Sequence, residues 1–451
     1  MTTRRNFIKK TSLATGALTF GVATGLSAKS YRKVIGANDR VRVGVVGFSN
    51  RCKGSLIPAF LNHSKNLNFE FVGVSDIWNR RRDEGAAYLK EKTGDKMKTW
   101  RNNEEMYEDD KIDSVIISTA DFQHALHTVQ AANAKKDAYV EKPFAETMDD
   151  ARIGKKAVED SGIVFQIGSQ RRSGKNYHSA NKFGKSGKFG DIVMVEMSWN
   201  VNQPGRWRLP QLTKEIKESD TDWKRYLMNR PYEAWDPRKY LEYRLFWPYS
   251  SGIPGQWMSH QIDTVHWFSG YDHPRSVAAN GGIYLWKDGR KNYDTMTSVF
   301  DYGDDDGKNG FQVVYSSRFT NSAGGTKEIY YSNGGELNLQ TNKVSDNGGL
   351  SERQAKRMGL EANKLKEYNL SDMEVKVVSS ADTGVDNMTS NHMLNWMECV
   401  RSRAKTNGSI EAGYNHSIAN IMTTAALRTG LKATFDKETQ NVLAGGKVFK
   451  Y

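Results

Sequence analysis

The sequence predicts an α/β protein with an N-terminal doubly wound parallel sheet of the Rossmann type and a C-terminal α/β domain whose sheet is open and largely antiparallel. Short apolar strands alternate with helical stretches over residues 38–145, which is the pattern of a parallel sheet. After residue 145 the strands become longer and are separated by turn residues, which favours antiparallel pairing. The chain has 451 residues, 38% of them hydrophobic and 26% charged, so it is long enough for two cores.

The first domain is predicted from four strand-like runs in the sequence. VRVGVVG and FEFVGVSD are apolar, β-branched runs that end at Gly47 and Asp76, and IDSVIISTA and AYVEKP supply the third and fourth strands. We assign 38–145 to a dinucleotide-binding domain and 146–451 to a second domain. The second assignment includes the helix MDDARIGKKAVEDSG and the strands IVFQIGSQ, IVMVEMSW, TMTSVFDY, FQVVYSSRF and EIYYSNGGELNLQ. The linker DYGDDDGKNGF is predicted to be a polar hairpin turn, with a calcium loop as the alternative.

The first 28 residues differ from the rest of the chain. TTRRNFIKK carries paired arginines, and an uncharged stretch rich in Ala, Gly, Ser and Thr follows it, which is the layout of a twin-arginine signal. The stretch is too short and too interrupted to predict a membrane span. We expect residues 1–28 to direct the folded protein, with its cofactor, through the twin-arginine export machinery to the periplasm. A cytoplasmic protein with a basic N-terminal tail is the alternative.

Charge, cysteine content and the spacing of possible metal ligands argue against three features: nucleic-acid binding, a disulfide framework and a catalytic metal. The formal net charge is +13, but no dense Lys/Arg patch is interleaved with aromatic residues, so nucleic-acid binding is not expected. Cys52 and Cys399 are far apart in sequence and imply no disulfide framework. No His/Cys cluster has metal-ligand spacing, so no catalytic metal is expected.

The turn after the first strand predicts a dinucleotide cofactor. The turn GFSNRC contains Gly47, whereas Ser49 and Cys52 take the places of the second and third glycines of GxGxxG. An acid at Asp76 would bind ribose hydroxyls and repel a 2′-phosphate, which favours NAD over NADP. The arginines at 80–82 leave NADP open.

A polar stripe marks the segment QWMSHQIDTVHW. At about 100° per residue, one helix face would carry Gln256, His260, Asp263 and Trp267, with Met258, Ile262 and Val265 opposite. Two interpretations remain open from this pattern alone. The His and Asp either satisfy each other inside a buried helix or face a functional site.

The order of several motifs is similar to that of the Gfo/Idh/MocA oxidoreductases, which include inositol dehydrogenases and glucose-fructose oxidoreductase. The motifs are the GFSNRC turn, STADFQHA (118–125), YVEKPFA (139–145), IGSQRR (167–172) and HQIDTVHW. With the export signal and NHMLNWMECVRSR near its end, the chain resembles the secreted members of Bacteroidetes most. The resemblance implies a second domain whose sheet forms a homo-oligomer interface, and a carbohydrate substrate bound against the nicotinamide.

The resemblance also implies roles for individual residues. Glu141, Lys142 and Pro143 correspond to the EKP motif, with Lys142 reaching ribose and substrate. The expected cofactor-binding residues are Gly47, Ser49, Asn50, Arg51, Asp76, Thr119, His124, Glu141, Lys142 and Arg171. The expected substrate-binding residues are Arg172, Arg244, Gln256 and Trp257, and the expected catalytic residues are Lys142, His260 and Asp263.

The family pattern DxxxHxxD is incomplete in this chain, because Gln256 stands where the first Asp is expected. Removing a hydride from an alcohol needs a base within reach of the hydroxyl, and both histidine and a desolvated lysine can serve. Without a carboxylate at 256, proton transfer by His260 is expected to weaken or to involve Asp263 and Lys142.

Three functions are consistent with these features. The first is an oxidoreductase that retains NAD and acts on a ring hydroxyl or ketone of a carbohydrate or glycoside. The second is an NAD-dependent glycosidase or keto-glycoside lyase that oxidises C3, eliminates, hydrates and re-reduces. The third is a binding protein without activity. The tryptophans at 207, 223, 247 and 257 are candidates for stacking on sugars or for core packing, and His392, Asn395 and Trp396 form a further candidate face.

Overall fold

A computed structural model describes residues 39–370 and 386–450, and both sheets of the fold belong to one compact unit, Val41–Tyr451. The predicted signal at 1–28 lies outside the described residues. Within the described ranges, no helix is both long enough and apolar enough to cross a membrane.

The first sheet has six parallel strands in the order β3-β2-β1-β4-β5-β6. The strands are β1 (Val41–Val46), β2 (Phe69–Ser75), β3 (Lys98–Trp100), β4 (Ser114–Ile117), β5 (Asp137–Val140) and β6 (Phe165–Ile167). The strand order reverses between β1 and β4, and ligands of doubly wound sheets bind in the crevice at such a point. The predicted Rossmann sheet is confirmed.

Five helices connect these strands: α1 (Ile57–Leu67), α2 (Asn79–Thr93), α3 (Asn103–Tyr107), α4 (His124–Asn133) and α5 (Met148–Ser161). The bounds of α5 follow from its sequence. Thr147 caps the first turn by accepting a hydrogen bond from the Asp150 amide at 3.1 Å, and Gly162 ends the helix at φ 65°.

The first sheet extends beyond the boundary predicted at residue 145. Helix α5 crosses back over the sheet, and β6 then pairs in parallel with β5. The run IVFQIGSQ therefore contributes the sixth Rossmann strand. The sequence pattern assigned it to the second domain because the change to longer strands comes only after it.

Among the described residues, the second sheet has eleven strands in the order β14-β13-β12-β11-β7-β10-β9-β8-β15-β16-β17. The pair β7 and β10 is parallel and the other neighbours are antiparallel, which confirms the predicted open, largely antiparallel sheet. The strands are β7 (Ile192–Asn200), β8 (Ser276–Gly282), β9 (Thr295–Gly303), β10 (Gly310–Arg318), β11 (Thr326–Ser332), β12 (Gly335–Asn338), β13 (Lys343–Ser345), β14 (Tyr368–Asn369), β15 (Ala433–Asp436), β16 (Asn441–Ala444) and β17 (Lys447–Val448). Residues 304–309 join β9 to β10 as a polar hairpin turn.

In the described part of the second domain there are eight further α-helices: α6 (Lys175–Lys185), α7 (Pro210–Glu215), α8 (Trp223–Leu227), α9 (Pro237–Leu241), α10 (Ser259–Ser269), α11 (Glu352–Met358), α12 (Asn387–Ser402) and α13 (Ile410–Thr429). Helix α13 is buried along most of its length against β8, α10 and α5. Helix α12 packs on α1 of the first domain. These two helices join the cores of the two sheets.

Residues 202–250 form a segment that we call the cap, which contains the short helices α7, α8 and α9. Its interior is aromatic: the rings of Trp223 and Tyr226 are stacked at 5.2 Å, and Tyr226 meets Phe122 of the first domain at 5.4 Å. Gln123 donates a hydrogen bond to the Tyr226 carbonyl at 2.7 Å. The cap is thus attached to the loop that follows β4.

Candidate functional site

A cleft of about 920 Å³ lies at the carboxyl ends of β1, β2, β4 and β5. Its walls come from the first domain, from the cap and from the start of α10. The predicted cofactor residues that line it are Gly47, Ser49, Asn50, Arg51, Asp76, Thr119, His124, Glu141, Lys142 and Arg171. The structure therefore brings all ten to one place.

The turn after β1 requires glycine at its first position. Gly47 has φ 83°, and a Cβ there would lie 2.8 Å from Thr119 Cγ2 and 2.9 Å from the Ser118 carbonyl oxygen. Ser49 stabilises the turn with its hydroxyl, which lies 2.6 Å from Ser118 Oγ and accepts a hydrogen bond from the Cys52 amide at 3.1 Å. A serine in place of the second glycine thus fits this turn.

Asp76 stands at the end of β2, where an acid would meet a ribose. Its carboxylate accepts hydrogen bonds from the amides of Phe48 and Trp78, each at 2.9 Å. Burial raises the pKa of Asp76. Of the arginines at 80–82, Arg81 lines the cleft, and it donates to Asn50 Oδ1 at 3.1 Å.

Two buried polar atoms at the other end of the cofactor region have no hydrogen-bond partner among the described residues: Thr119 Oγ1 and His124 Nε2. The other ring nitrogen of His124 lies 2.7 Å from the Pro143 carbonyl oxygen, which fixes the ring. Both residues line the cleft. Because a buried polar atom is normally satisfied, these atoms fit a bound group with polar atoms of its own, as a dinucleotide has. The residues present therefore fit the expected cofactor.

Lys142 lies buried at the centre of the cleft. Its ammonium donates to the backbone carbonyl of Gln256 and lies 3.5 Å from the Gln256 side-chain oxygen. Burial lowers the pKa of Lys142 to about 8, with the charges of Asp121 and Glu141 acting in the opposite direction. With this pKa, roughly a tenth of the lysine is neutral at about pH 7, and that neutral form can accept a proton.

Asp121 lies behind the cleft lining, beside the lining residues Gln256 and Arg244, and the sequence reasoning missed it. It is buried after β4, and its Oδ2 accepts hydrogen bonds from Gln256 Nε2 at 2.5 Å and from Ser250 Oγ at 2.6 Å. Arg244 donates to the Gln256 side-chain oxygen at 3.0 Å and lies 3.9 Å from Asp121. The predicted substrate residues Arg244 and Gln256 both line the cleft. The only sequence signal for Asp121 was its place in STADFQHA, between Thr119 and His124.

His260 is half-buried in the cleft wall, close to Lys142. Burial, and after it the charges of Lys142 and Arg171, hold the pKa of His260 well below its usual range. The imidazole is therefore neutral at neutral pH. Within the described residues its ring nitrogens make no hydrogen bond to the protein, and its ring centre lies 6.1 Å from that of Trp199.

The structure places Asp263 and Arg172 outside the cleft lining, which corrects two of the predicted roles. Arg172 Nε and Nη2 donate to the two carboxylate oxygens of Asp263 at 2.7 and 2.9 Å, and Asp263 is fully buried. Asp263 follows His260 by three positions in the helix, so the two side chains point about 60° apart around the helix axis. Asp263 therefore faces the loop after β6 and not the cleft. Asp263 therefore forms an ion pair with Arg172, and neither residue lines the cleft.

The predicted aromatic candidates divide between the cleft and the core. Trp257 is 2% exposed and stacks on Trp199 at 5.6 Å, so it supports the cleft from behind instead of lining it as a substrate residue. Trp223 and Trp247 also lie outside the lining, whereas Trp207 and Trp199 belong to it. Trp207 has φ 63°, an unfavourable backbone conformation for a large side chain.

The face formed by His392, Asn395 and Trp396 does not reach the cleft. His392 is fully buried, with its ring nitrogens 2.7 Å from Ser173 Oγ and 2.7 Å from the Ile167 carbonyl oxygen. Trp396 is part of the hydrophobic core of the first domain. In the part of the chain that the structure describes, no group of three or more His, Cys, Asp or Glu residues is arranged to hold a metal ion.

The fold and the cleft define a two-domain α/β protein with an N-terminal Rossmann-type sheet. Residues 41–169 match the family model described as an oxidoreductase family with a NAD-binding Rossmann fold, Gfo/Idh/MocA. This part of the chain is therefore similar to the NAD-binding Rossmann domain of that family.

Curated relatives match a little over a third of the chain. The inositol 2-dehydrogenase of Salmonella typhimurium is 29% identical over 167 residues, which are 37% of this chain and 48% of that enzyme. The NADP-dependent scyllo-inositol 2-dehydrogenase of Bacillus subtilis is 27% identical over 40% of this chain and 47% of its own length. The chain thus spans about half the length of these relatives.

Solved structures match the fold over nearly the whole chain. A levoglucosan dehydrogenase in complex with NADH and levoglucosan has a TM-score of 0.63 and 14% identity, over 88% of this chain and 99% of its own. The WlbA dehydrogenase of Bordetella pertussis, in complex with NADH and UDP-GlcNAcA, has a TM-score of 0.62 and 16% identity, over 88% and 98%. The two-domain architecture is therefore that of known dehydrogenases.

Proposed function

We propose that the protein is a NAD-dependent oxidoreductase that acts on a ring hydroxyl, or the matching ketone, of a carbohydrate or glycoside. The observation that carries the proposal is one continuous cleft that holds the Gly47 turn at one end and Lys142 with His260 at the other. The relatives support a sugar or polyol as substrate, because their names are those of inositol and sugar dehydrogenases.

Bound NAD would supply the hydride acceptor, and the residues of this chain would supply binding and proton transfer. The Gly47 turn would hold the pyrophosphate, Asp76 the adenosine ribose, and Thr119 and His124 the polar atoms at the nicotinamide end. Asp76 favours NAD over NADP, because a carboxylate repels a 2′-phosphate. Arg51 pairs with Glu141 at 3.1 Å and so fixes the carboxylate next to Lys142.

Lys142 is the proposed base that takes the hydroxyl proton. Proton transfer is most efficient when the pKa of the base lies near the working pH, and the pKa of about 8 for Lys142 meets that condition. His260, whose pKa is far lower, is a weaker base and would orient the hydroxyl through a hydrogen bond. The main catalytic role thus belongs to Lys142, and His260 contacts the substrate.

The cap supports retention of the cofactor between turnovers. It contacts the first domain beside the cleft: Arg80 Nη1 and Glu215 Oε2 are 2.7 Å apart, and the rings of Trp78 and Tyr240 meet at 6.3 Å. These contacts hold the cap beside the cleft and would slow the release of a dinucleotide bound there. Retained cofactor is compatible with the proposed periplasmic location and twin-arginine export of a folded homo-oligomer.

Two experiments test the proposal. Protein purified through extensive dialysis should carry NAD in near-stoichiometric amount when its acid extract is assayed. Addition of glycosides from a broad panel should then produce NADH absorbance that depends on the sugar. A cofactor-free protein that neither binds NAD nor reduces it with any sugar would refute the proposed function.

A further inference from the structure

A second buried carboxyl group, besides Asp121, lies behind the end of the cleft that holds Lys142. Glu146 follows Lys142 by four positions, is 3% exposed and lies outside the cleft lining. Neither cofactor binding nor proton transfer in the proposed mechanism involves this group. Because a buried polar group is costly unless it is hydrogen-bonded, the contacts of Glu146 indicate its role.

The hydroxyl of Ser251 connects Glu146 to the turn that contains Gln256. This hydroxyl donates to Glu146 Oε1 at 3.2 Å and accepts a hydrogen bond from the Gly255 amide at 3.0 Å. Gly255 belongs to the π-helical turn Pro254–Met258, which leads directly into α10. A Cβ at Gly255 would lie 2.7 Å from Ser251 Oγ and 2.9 Å from Glu146 Oε1, so glycine permits this close approach.

Asp121 is connected to the same region by a parallel arrangement. Ser250 donates to Asp121 Oδ2 at 2.6 Å and accepts a hydrogen bond from the Gly252 amide at 3.0 Å. Two consecutive serines therefore each join one buried carboxyl group to one backbone amide. Asp121 also accepts from the side chain of Gln256, whereas Glu146 acts on the residue before it.

The turn that these carboxyl groups hold contains the partner of Lys142. The Lys142 ammonium donates to the backbone carbonyl of Gln256, and the direction of that carbonyl is set by the turn. Residues 142–146 thus meet the turn at both ends, since Lys142 contacts it directly and Glu146 contacts it through Ser251. A change in the turn would therefore change the position of the ammonium in the cleft.

The surroundings keep Glu146 mostly uncharged. Burial, and after it the charge of Asp121, raise the pKa of Glu146 to about 8, whereas the hydrogen bonds from Ser251 and the charge of Arg230 lower it. Below that pH most of the carboxyl is protonated. The contact with Ser251 thus needs an acceptor oxygen at this position and no negative charge, and the amide of glutamine provides such an oxygen.

We propose that Glu146 is a positioning residue for Lys142. Through Ser251 it holds the turn so that the Gln256 carbonyl meets the Lys142 ammonium. The inference rests on the proposed function, because the position of Lys142 affects turnover only if this lysine takes the hydroxyl proton. Glu146 itself lies outside the cleft lining and acts through the turn alone.

The turnover of three NAD-loaded variants tests the proposal. Glu146→Ala and Ser251→Ala should each lower kcat by about 10- to 100-fold, the cost of a small misplacement of a catalytic group, with KM and bound NAD little changed. Glu146→Gln should recover most of this loss, because its amide oxygen can accept from Ser251. Glu108→Ala, at an exposed position, is the control. Full kcat in Ser251→Ala, which removes only a hydroxyl group, would overturn the inference even if Glu146→Ala did not fold.

The double variant shows whether the two residues act as one unit. If Glu146 acts only through Ser251, the combination of Glu146→Ala with Ser251→Ala should have the kcat of Ser251→Ala alone. Losses that multiply in the double variant would show two independent effects and would overturn the proposed connection.

A measurement of lysine reactivity needs no turnover. The NAD-loaded protein is acetylated with a trace of acetic anhydride, and peptide mass spectrometry gives the rate at each lysine. A hydrogen bond to the carbonyl favours the protonated, unreactive amine, so Lys142 should react several-fold faster in Glu146→Ala and in Ser251→Ala. Lys136 is the internal reference, because it is similarly buried and donates to the Ile112 carbonyl at 2.7 Å.

The outcomes separate this inference from the proposed function. Faster acetylation of Lys142 with no change at Lys136 would support the positioning role. An unchanged rate at Lys142, or an equal increase at both lysines, would overturn it. Absence of turnover by the unmodified protein with every sugar, with the effect on Lys142 acetylation present, would instead refute the proposed function.

Discussion

The side chain of Gln256 donates a hydrogen bond to the buried carboxylate of Asp121, which lies 135 positions earlier in the sequence, at 2.5 Å. Gln256 occupies the place where the family pattern has an aspartate, and Asp121 brings a carboxylate to the same spot from the loop after β4. The charge acts on Lys142, whose pKa it raises against the effect of burial. The carboxylate that the motif lacks is thus supplied by the other domain.

Replacement of Asp121 by Asn should shift the pH dependence of oxidation. Asp121 raises the pKa of Lys142, so its loss lets burial lower that pKa further, and the rise in kcat/KM with pH should move to lower pH. The measurement is a pH profile of kcat/KM. Asp110→Asn, at an exposed position, is the control. A profile that stays in place or moves to higher pH would show that Asp121 does not act on Lys142.

Exchange of the carboxylate and the amide between positions 121 and 256 also tests the contact of Asp121 with Gln256. Gln256→Glu alone places two carboxylates in contact, and like charges at this distance should lower stability by several kcal/mol or raise one carboxyl pKa. The double variant Asp121→Asn with Gln256→Glu restores a single carboxylate and its amide partner. Urea unfolding should therefore show recovery of much of the lost stability. Additive losses in the double variant would contradict a direct contact.

Replacement of Lys142 by Met should abolish most turnover. Methionine fills a similar volume and cannot accept a proton, so kcat is expected to fall by about 10²- to 10⁴-fold, the usual contribution of a general base. Retained NAD, measured in acid extracts, shows that the cleft is intact. Lys188→Met, at an exposed position, serves as the control. Unchanged activity in Lys142→Met would remove the lysine from the mechanism.

The pH profile of the unmodified protein distinguishes Lys142 from His260 as the base. A base must be unprotonated, so with Lys142 in this role the oxidation rate rises about tenfold per pH unit below its pKa and levels off above about 8. A rate set by His260 would already be level at neutral pH, because the pKa of His260 lies well below its usual range. Steady-state kinetics from about pH 5 to about 10 decide between them.

Gly47→Ala should impair both cofactor binding and stability. At φ 83° an alanine costs about 1–2 kcal/mol, and its Cβ would also crowd Thr119 and Ser118. Gly54→Ala is a matched control, because a Cβ there meets nothing within 4 Å and the backbone is not in the left-handed region. The amount of bound NAD and the midpoint of urea unfolding should both fall in Gly47→Ala. Both should stay at the level of the unmodified protein in Gly54→Ala. Equal behaviour of the two would contradict the requirement for glycine in this turn.

The sequence predicted the parts of the fold that depend on local pattern. Alternating strands and helices identified the parallel sheet, and Gly47 with Asp76 identified the cofactor end, because both follow strands whose carboxyl ends share one edge. The boundary at 145 was wrong, since β6 joins the first sheet after a helix that resembles a domain start. Periodicity grouped Asp263 with His260, although Asp263 is turned about 60° from His260 around the helix and binds Arg172 outside the cleft lining.

Asp121 and the cap could not be predicted in the same way. The role of Asp121 depends on Gln256 and Ser250, which approach it only when the two domains assemble. The cap has no regular period: its three short helices are held by aromatic contacts with residues such as Phe122 and Trp78. Both features follow from contacts between distant segments, which single-sequence patterns do not contain.

Mass spectrometry of products in D₂O tests the proposed oxidation most directly. The NAD-loaded protein is mixed with a panel of neutral and anionic glycosides, and products and cofactor are analysed together. We expect an intact glycoside that is lighter by two hydrogens, with NADH formed or a second sugar reduced. Cleaved sugar that carries deuterium at C2, without accumulated NADH, would contradict net oxidation and identify a redox-assisted glycosidase instead.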